Sequence, residues 1–391
     1  MNSERAIEPG ATLGVVGGGQ LGRMFGYVAR RQGYGFVVLD PDPNCPAAAV
    51  ADRVFAAPYD DLDTARAMAH SCDVLTVEFE NVPSGTLAAL ESLLPVRPSA
   101  HVLATCRHRV REKTALVEFG VPVAPYRTIH SAEEAATAAR ELAGPTIVKS
   151  AEFGYDGKGQ ARAATSADAG AAFEAVGAPE CVIERVVPFD RELSVIVARR
   201  PSGEVRTYPV FENVHANHVL DVTSLPAQIP AEIEARAAEL GRTIAGRLDV
   251  IGLLTVELFQ AGDELYVNEL APRPHNSGHV TIEACVTSQF ENHLRAICNL
   301  PLGNTDLRGP AAMANLLGDL WSEGPPMFGE AQADPSVAVH LYGKREARAG
   351  RKMGHLTASD SSAEAAIARV RSARKQLSCA GSRPEARISR S

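Results

Sequence analysis

The sequence predicts an α/β protein that begins with a parallel-sheet domain, and three observations support this class. Short apolar strands alternate with helix-like runs over about the first 80 residues, which is the rhythm of βαβ units. Two apolar-rich strands joined by a tight turn follow a long amphipathic helix over 231–248. Further short strands lie beyond them, over 311–317 and 337–342. A chain of 391 residues is long enough for two or three domains with full cores.

Composition and charge exclude several functional classes. The 39 basic and 47 acidic residues give a net charge of −8, which argues against an extended nucleic-acid-binding surface. Seven cysteines without a C-x-x-C pair favour reduced thiols over a disulfide framework or a zinc site. The chain has neither an apolar run of membrane-helix length nor an apolar signal-peptide run at its start. We therefore expect a soluble, cytoplasmic protein with no nucleic-acid or membrane partner.

The N-terminal region supports a hypothesis of its own. A strand over 12–17 leads into residues 17–22, Gly-Gly-Gly-Gln-Leu-Gly, which fit G-x-G-x-x-G, and a later strand ends in Asp40. This is the dinucleotide fingerprint, typical of an NAD-dependent oxidoreductase. The competing interpretation is structural, because any strand that turns tightly into a helix needs glycines. Glu78, Glu80 and Asn81 close the strand over 74–79. There they either face a ligand or cap the next helix.

The central hairpin predicts a metal site. Strands over 253–260 and 264–270 flank the turn Ala261-Gly262-Asp263. A turn centred on Asp263 places Glu257 directly opposite Glu269 on one face of the hairpin. Two carboxylates at that distance repel unless a cation lies between them or one is protonated, and an all-oxygen site suits Mg²⁺. The alternative is a solvated edge hairpin whose glutamates never meet.

A glycine-rich loop predicts a phosphate site. A strand over 145–149 ends in Lys149, and residues 152–160 read Glu-Phe-Gly-Tyr-Asp-Gly-Lys-Gly-Gln. Backbone N–H groups of such a loop bind phosphate oxygens, and the lysine supplies a point charge. The loop lacks the Walker pattern G-x-x-x-x-G-K-[ST]. A simple hairpin turn is the alternative, but the combination with Glu257 and Glu269 is rare.

Two stretches of the sequence are rich in charged residues. Residues 107–119, RHRVREKTALVEF, predict a basic amphipathic helix with charges on a solvated face. Residues 344–355, here called the basic segment, hold five cations in nine residues of an acidic protein. The basic segment is either a local anion site or a solvated charge run.

Residues 268–279, Asn-Glu-Leu-Ala-Pro-Arg-Pro-His-Asn-Ser-Gly-His, pack polar side chains behind a buried strand, as functional loops do. With the hairpin and Lys149, this loop resembles the metal-binding end of ATP-grasp enzymes, and in particular the N5-carboxyaminoimidazole ribonucleotide synthetase family. The resemblance covers about residues 10–360. It implies an ATP-grasp fold (α/β, α+β) in three parts: a Rossmann-like domain (10–110), an ATP-grasp domain (111–305) and a small β-rich domain (306–375), followed by a flexible tail (376–391).

The resemblance also implies roles for particular residues. ATP and, in all, two Mg²⁺ ions are the implied cofactors, with the metals on Glu257 and Glu269. The implied nucleotide site comprises Arg109, Lys149, Gly154, Tyr155, Asp156, Gly157, Lys158, Gly159, Gln160, Glu184, Arg185, Val186, Val187, Glu192, His215, Asn268 and Glu269. The strand over 181–187 would lie along the adenine, its N–H and C=O groups and Glu184 would read the base, and Glu192 would hold the ribose. One departure is His108, which precedes Arg109 where many members carry an acid.

The implied reaction is ATP-dependent carboxylation. ATP phosphorylates bicarbonate, and the carboxyphosphate then carboxylates the exocyclic amine of 5-aminoimidazole ribonucleotide. Arg273, His275 and Asn276 are the implied catalytic residues. The implied substrate-binding residues are Tyr155, Asp156, Arg273, His275, Lys344, Arg351 and Lys352, the last three holding the 5′-phosphate. A homodimer is expected from the family.

Two alternatives remain open on the sequence alone. A different ATP-grasp ligase, such as a formate-dependent glycinamide ribonucleotide transformylase or an amino-acid ligase, shares the nucleotide site. It differs in the loop after the hairpin and in the basic segment. The NAD-dependent oxidoreductase rests on residues 17–40 alone. A biotin carboxylase is disfavoured because the chain lacks the A-M-K-M pattern of a biotin carrier.

Overall fold

A computed structural model describes residues 5–152, 154 and 158–377. The N-terminal part is a parallel sheet with strand order β3-β2-β1-β4, the order of a Rossmann half. Its elements are β1 (Thr12–Val16), α1 (Gln20–Arg31), β2 (Gly35–Asp40), β3 (Arg53–Ala56), α2 (Leu62–Ala69), β4 (Val74–Val77), α3 (Ser84–Glu91) and α4 (Ala100–Cys106). The predicted parallel-sheet domain is confirmed.

A second, antiparallel sheet with order β5-β8-β6-β7 follows. Its elements are α5 (Arg109–Glu118), β5 (Tyr126–Ile129), α6 (Ala132–Leu142), β6 (Thr146–Ser150), β7 (Gln160–Ala163), α7 (Ala169–Val176) and β8 (Cys181–Arg185). The glycine-rich loop connects β6 to β7. Lys149, near the end of β6, therefore stands at the base of that loop.

The third sheet has nine strands, ordered β14-β13-β9-β11-β12-β15-β17-β16 with β10 paired to β9. Its elements are β9 (Arg191–Arg199), β10 (Val205–Thr207), β11 (Phe211–Ala216), β12 (Val219–Leu225), α8 (Ala231–Arg247), β13 (Gly252–Ala261), β14 (Glu264–Ala271), α9 (Thr281–Ala284), α10 (Gln289–Ile297), β15 (Ala311–Leu317), α11 (Phe328–Ala331), β16 (Val337–Leu341), β17 (Lys352–Ser359) and α12 (Ala363–Gln376). The C-terminal strands form no sheet of their own, because β15 pairs with β12 and extends the central sheet.

The hairpin of β13 and β14 pairs Glu257 with Glu269, as predicted, but for a different reason. Its turn has two residues, since Ala261 pairs with Glu264, and Gly262 takes the positive φ of 57° that the turn requires. Regular pairing from this turn would oppose Glu257 to Asn268. A β-bulge shifts the register by one residue and brings Glu269 opposite instead. The bulge therefore creates the carboxylate pair.

Helix α10 packs between the N-terminal part and the central sheet and connects the two. The Ser288 hydroxyl caps it by accepting a hydrogen bond from the Glu291 N–H at 3.2 Å. Phe290, Leu294 and Ile297 share one buried cluster with residues of β1, α1 and β2. The buried Thr76 hydroxyl also lies 2.9 Å from His293 Nε2 across this boundary. The site described below is thus built on one packed body.

The helix predicted over 107–119 is confirmed, with the bounds Arg109–Glu118. The C-terminal part differs from the prediction in two places. Strand β17 was not predicted, and helix α12 runs to Gln376, the first residue of the predicted flexible tail. Arg374 anchors this last turn through Asp221 at 2.6 Å. The rest of the predicted tail, residues 378–391, lies outside the described part of the chain. Within the described part, no helix is long and apolar enough to cross a membrane.

Candidate active site

The first glycine-rich turn is filled by the protein's own carboxylates. Glu78, after β4, accepts hydrogen bonds from the Gly19 N–H and, at 2.8 Å, from the Gly22 N–H. Asp40 accepts from the Gly18 N–H at 2.7 Å. A helix N-terminus that would bind a pyrophosphate is therefore already occupied by anions. The dinucleotide hypothesis is wrong, and Glu78 caps α1, the helix before it, rather than the next helix.

The second glycine-rich segment stands beside a buried charge cluster. Lys149 Nζ lies 3.1 Å from Glu184 Oε2, and Lys113 Nζ lies 3.1 Å from Glu184 Oε1. The three residues are 8%, 0% and 3% exposed in the order Lys149, Lys113 and Glu184. Burial alone would raise the pKa of Glu184, but Lys149 and Lys113 lower it to about 2. Two ammonium groups share one carboxylate, so the cluster retains positive charge toward an anionic ligand.

Arg109 connects this cluster to the hairpin. Its guanidinium lies 3.3 Å from Glu269 Oε2 and donates to the Gly154 carbonyl at 3.4 Å. At Gly159, with φ of 67°, a Cβ would come within 2.6 Å of Ser150 Oγ, so the loop base requires glycine. Gly154, Lys158, Gly159 and Gln160 are described, whereas the predicted site residues Tyr155, Asp156 and Gly157 lie outside the described residues.

The prediction of a solvated charge face on α5 is wrong. Glu112 and Lys113 are 1% and 0% exposed. The Glu112 carboxylate accepts a hydrogen bond from the Leu270 N–H at 2.7 Å, next to Glu269. Burial, together with the nearby Glu269, raises the pKa of Glu112 to about 8. Because Arg109, Glu112 and Lys113 are spaced i, i+3, i+4, they share one face of α5, and that face supports the site.

The strand over 181–187 is only partly available to a base. The N–H groups of Arg185 and Val186 donate to the carbonyls of Pro125 and Pro145, each at 2.9 Å. Both oxygens of Glu184 face lysines. Within the described residues the Val187 N–H has no hydrogen-bond partner, which leaves it to read a base edge. The predicted base contacts of the Arg185 and Val186 N–H groups are therefore wrong.

Glu192 and His215 face each other on adjacent strands. Glu192 Oε2 lies 2.5 Å from His215 Nδ1. Burial disfavours the imidazolium, but the contact with Glu192 outweighs it and raises the pKa of His215. The structure thus brings together two residues predicted for the nucleotide site.

Glu257 is engaged by the loop after the hairpin. Its Oε1 lies 2.9 Å from His275 Nε2. Burial would raise the pKa of Glu257, but the His275 contact and the nearby His215 and Lys352 lower it to about 2. Glu257 is therefore a carboxylate at neutral pH, as a metal ligand must be.

The residues at the hairpin fit a Mg²⁺ site. Glu257 and Glu269 are paired across the hairpin, and Asn268, which precedes Glu269, accepts a hydrogen bond from Lys149 at 3.4 Å, so the available donors are all oxygen. No group of three or more His, Cys, Asp or Glu residues with metal-site geometry occurs among the described residues. A two-carboxylate site agrees with this, because Mg²⁺ in nucleotide sites takes its other ligands from phosphate and water.

Arg273 and Asn276 complete the loop. Arg273 Nε lies 2.7 Å from Glu80 Oε1, so Glu80 of the N-terminal part orients a predicted catalytic residue. Asn276 is 7% exposed, and neither atom of its side-chain amide has a hydrogen-bond partner among the residues described. A buried amide without partners is costly unless a ligand satisfies it. Both residues thus have the geometry expected of ligand contacts.

The basic segment divides into two sets. Lys344, Arg351 and Lys352 are half-buried, whereas Arg345 and Arg348 are exposed. Lys344 donates to Gln20 Oε1 at 2.6 Å and to the Lys352 carbonyl at 2.7 Å, which holds the segment against the start of α1. Arg351 donates to the Glu346 carbonyl at 2.9 Å. The three half-buried cations are the three predicted to bind phosphate.

Sequence reasoning missed three residues that support the site, namely Glu112, Lys113 and Gln20, and it singled out Glu80 without its partner Arg273. The i, i+3, i+4 spacing on α5 was the available signal for Glu112 and Lys113. The contacts of Glu80 with Arg273 and of Gln20 with Lys344 join residues far apart in the chain. No local pattern could have revealed these two.

Three family models match the chain in order. They describe a ribonucleotide synthetase preATP-grasp domain over 10–107, an ATP-grasp domain over 114–290 and a phosphoribosylaminoimidazole carboxylase C-terminal domain over 311–369. The fold and the site therefore define an ATP-grasp ligase.

Curated relatives and solved structures narrow this class. N5-carboxyaminoimidazole ribonucleotide synthase of Bacillus subtilis (strain 168) is 42% identical over 359 residues, covering 91% of this chain and 93% of the relative. The Brucella melitensis biotype 1 synthase is 42% identical over 355 residues, covering 90% and 97%. A synthase structure from Aspergillus clavatus, in complex with ADP and 5-aminoimidazole ribonucleotide, has a TM-score of 0.86 at 31% identity and covers 93% of this chain and 98% of its own. The chain belongs to the N5-carboxyaminoimidazole ribonucleotide synthase family, and the glycinamide ribonucleotide transformylase alternative is rejected.

Proposed function

We propose that the chain uses ATP and bicarbonate to carboxylate the exocyclic amine of 5-aminoimidazole ribonucleotide, a step of purine biosynthesis. ATP phosphorylates bicarbonate, ADP leaves, and the resulting carboxyphosphate delivers CO₂ or its carboxylate to the amine with loss of phosphate. The observation that carries this proposal is the Glu257–Glu269 pair, which lies between Lys149 and Arg109 on one side and His275 on the other. Phosphoryl transfer depends on such positioning and charge neutralisation more than on covalent chemistry by the protein.

At the nucleotide end, Lys149 and Arg109 bind phosphate oxygens, together with the glycine-rich loop predicted over 154–160. Lys113 and Glu184 hold the Lys149 ammonium group in place from behind. The Val187 N–H and neighbouring carbonyls read the adenine, and Glu192 with His215 holds the ribose. Glu257 and Glu269 would hold Mg²⁺, as two ions, and the bound metal would supply positive charge against the phosphates.

At the acceptor end, Arg273 binds an oxygen of the carboxylate or phosphate being transferred, through its planar fork. His275 and Asn276 face the imidazole amine. Lys344, Arg351 and Lys352 bind the 5′-phosphate, and their half-burial beside Gln20 supports this role over a solvated run. For Tyr155 and Asp156, contacts with the acceptor are proposed from the family resemblance alone.

We also propose a cellular location, an oligomeric state and a division into domains. The six cysteines in the described part of the chain are free thiols, which supports a reducing, cytoplasmic location. The homodimer is proposed from the family resemblance, and light scattering tests it. The same resemblance supports the division into domains over 10–110, 111–305 and 306–375.

An assay of phosphate release from ATP tests the proposed function. With Mg²⁺, bicarbonate and 5-aminoimidazole ribonucleotide all present, release should equal the carboxylated product, and leaving out the ribonucleotide should lower it. Formate in place of bicarbonate should give no product. Release that depends on formate, or on glycinamide ribonucleotide as acceptor, would contradict the proposal.

A further inference from the structure

A row of uncharged polar side chains crosses the nine-stranded sheet behind His275. Glu257 on β13 pairs with Ser194 on β9, and Asn213 on β11 pairs with Thr223 on β12. These three uncharged residues and Glu257 project from the same face of the sheet, because alternate residues of a strand share a face. Ser277 reaches this row from the loop after the hairpin. Ser194, Thr223 and Ser277 are fully buried and Asn213 is 7% exposed.

These side chains form one continuous chain of hydrogen bonds. The Thr223 hydroxyl donates to Asn213 Oδ1 at 2.9 Å, and Asn213 Nδ2 donates to Ser194 Oγ at 3.0 Å. Ser194 Oγ lies 3.0 Å from Ser277 Oγ, which lies 2.8 Å from His275 Nδ1. On the far side of the ring, His275 Nε2 lies 2.9 Å from Glu257 Oε1. The series of hydrogen bonds therefore ends on the carboxylate of Glu257, which is paired with Glu269.

The backbone N–H of Ser277 indicates in which direction the hydrogen bonds run at His275. The Ser277 N–H donates to His275 Nδ1 at 3.3 Å, so Nδ1 carries a lone pair and no proton. The Ser277 hydroxyl must then also donate to Nδ1 and accept from Ser194. Ser194 in turn accepts from Asn213, and every donor points toward the ring. The neutral ring carries its proton on Nε2, which donates to Glu257.

Gln289 holds the backbone of His275 in place. Its Oε1 accepts from the His275 N–H at 2.9 Å, and its Nε2 donates to the His275 carbonyl at 2.7 Å. Gln289 is itself fully buried. Because the backbone of His275 is held on both sides, only the rotation of the ring and the location of its proton are left for Ser277 to set.

We propose that Thr223, Asn213, Ser194 and Ser277 are positioning residues that hold His275 as the Nε2–H tautomer directed at Glu257. The proposal rests on the proposed function, in which His275 and Glu257 act at the acceptor end. A histidine whose second nitrogen is held by a buried partner keeps one tautomer and one orientation. The relay (these four side chains) thus fixes a proton donor beside the carboxylate pair without placing another charge there. The competing account is that the four side chains merely satisfy one another in the core.

Steady-state kinetics on matched variants distinguishes the two accounts. Ser277→Ala and Ser194→Ala should lower kcat roughly 10- to 100-fold, the usual cost of losing a group that orients a functional histidine. Thr223→Val should lower it less, and KM for ATP should stay the same in all three. Thr255→Val is the control, because Thr255 is fully buried in the same sheet and its hydroxyl has no partner among the described residues. Equal kcat in Ser194→Ala and Thr255→Val, with both folded, would overturn the relay.

Nitrogen NMR of histidine-labelled full-length protein gives a readout that a core role would not move. The His275 resonances, assigned by their loss in His275→Gln, should show Nε2 protonated and Nδ1 bare. Ser277→Ala keeps the Ser277 N–H, which lies 3.3 Å from Nδ1, but removes the closer hydroxyl at 2.8 Å, so the resonances should shift toward a mixture of tautomers. Unchanged resonances in Ser277→Ala would overturn the relay even if activity falls. This measurement needs no turnover, so a wild-type protein without carboxylase activity would refute the proposed function and still leave the relay decided.

Discussion

The two ends of the site are stabilised in opposite ways. At the nucleotide end, buried charges hold one another, with Lys149 and Lys113 on either side of Glu184. At the acceptor end, beyond the contact with Glu257, His275 is held by uncharged groups, namely the Ser277 hydroxyl and the Gln289 amide. The phosphates of ATP meet the first end, and the imidazole of the acceptor meets the histidine at the second end.

The two ends therefore recognise their ligands by different physical means. A cluster with two ammonium groups on one carboxylate attracts an anion over a range of positions, because Coulomb attraction is weakly directional. A ring fixed by hydrogen bonds at both nitrogens presents one donor in one direction. The nucleotide end therefore relies on charge, whereas at the acceptor end hydrogen bonds fix His275 and the basic segment supplies charge for the 5′-phosphate. Variants that alter one end at a time test this difference.

The largest effect is expected where the ends meet. Glu269→Gln keeps the shape of the side chain and removes one charge, so Mg²⁺–ATP turnover should fall on the order of 10²–10³-fold. The side chain is 42% exposed, and Arg109 is its one ionic partner among the described residues, so the melting temperature should barely change. Glu264→Gln is the control on the same strand, with 65% of its side chain exposed. Unaltered ATP turnover in purified Glu269→Gln would remove Glu269 from the metal site.

A smaller effect is expected at the outer side of the acceptor end. Each charge-assisted hydrogen bond to phosphate contributes about 1.5–3 kcal/mol, so Arg351→Ala should raise KM for 5-aminoimidazole ribonucleotide roughly 10- to 100-fold. Lys344→Ala should act in the same direction and more mildly, because an ammonium contact is less directional. KM for ATP should stay constant. Arg345→Ala, an exposed arginine of the same segment, should match wild type. If Arg345→Ala and Arg351→Ala behave alike, the basic segment is a solvated run.

The smallest effect concerns the stability of the nucleotide end. Burial and the neighbouring Glu269 raise the pKa of Glu112 to about 8 from an ordinary value of 4.5. A raised carboxyl pKa contributes stability that is full below the unfolded pKa and is lost as pH rises through about 8. Glu112→Gln keeps an acceptor for the Leu270 N–H and cannot ionise. Between about pH 6 and pH 9 its melting temperature should therefore fall less than that of wild type, by on the order of a few degrees.

The control for this prediction lies on the same helix. Glu118 is exposed at the end of α5, so Glu118→Gln should keep the wild-type dependence of melting temperature on pH. Thermal melts without nucleotide at both pH values measure the difference. Identical pH dependence in Glu112→Gln and wild type would show that Glu112 does not titrate in this range.

The sequence predicted the two ends unequally. The nucleotide end follows from local features: Lys149 closing a strand, glycines after it, and glutamates of equal parity on a hairpin. Even there, the β-bulge that brings Glu257 opposite Glu269 lies in the pairing of β13 with β14 and could not be seen from parity. Charges on both faces of α5 likewise concealed which face is buried.

The acceptor end depends mostly on contacts between distant parts of the chain. Glu80 reaches Arg273, and Gln20 reaches Lys344, across more than half the length of the chain in the second case. The relay behind His275 joins three strands of the central sheet and a loop. Short-range periodicity carries no information on such neighbours, so resemblance to a family pointed to His275 and Arg273 but not to the residues that hold them.

The separation of the two ends is tested most directly by calorimetric titration of both ligands into Lys149→Met, with circular dichroism to verify folding. Removing the lysine that faces the phosphates should weaken Mg²⁺–ADP roughly 10- to 100-fold, the loss of one charge-assisted hydrogen bond. The dissociation constant for 5-aminoimidazole ribonucleotide should stay within about threefold of wild type, since Lys149 contacts Glu184 and Asn268 and none of the basic segment. Equal weakening of both ligands, or none of either, would contradict the division of the site into separate nucleotide and acceptor ends.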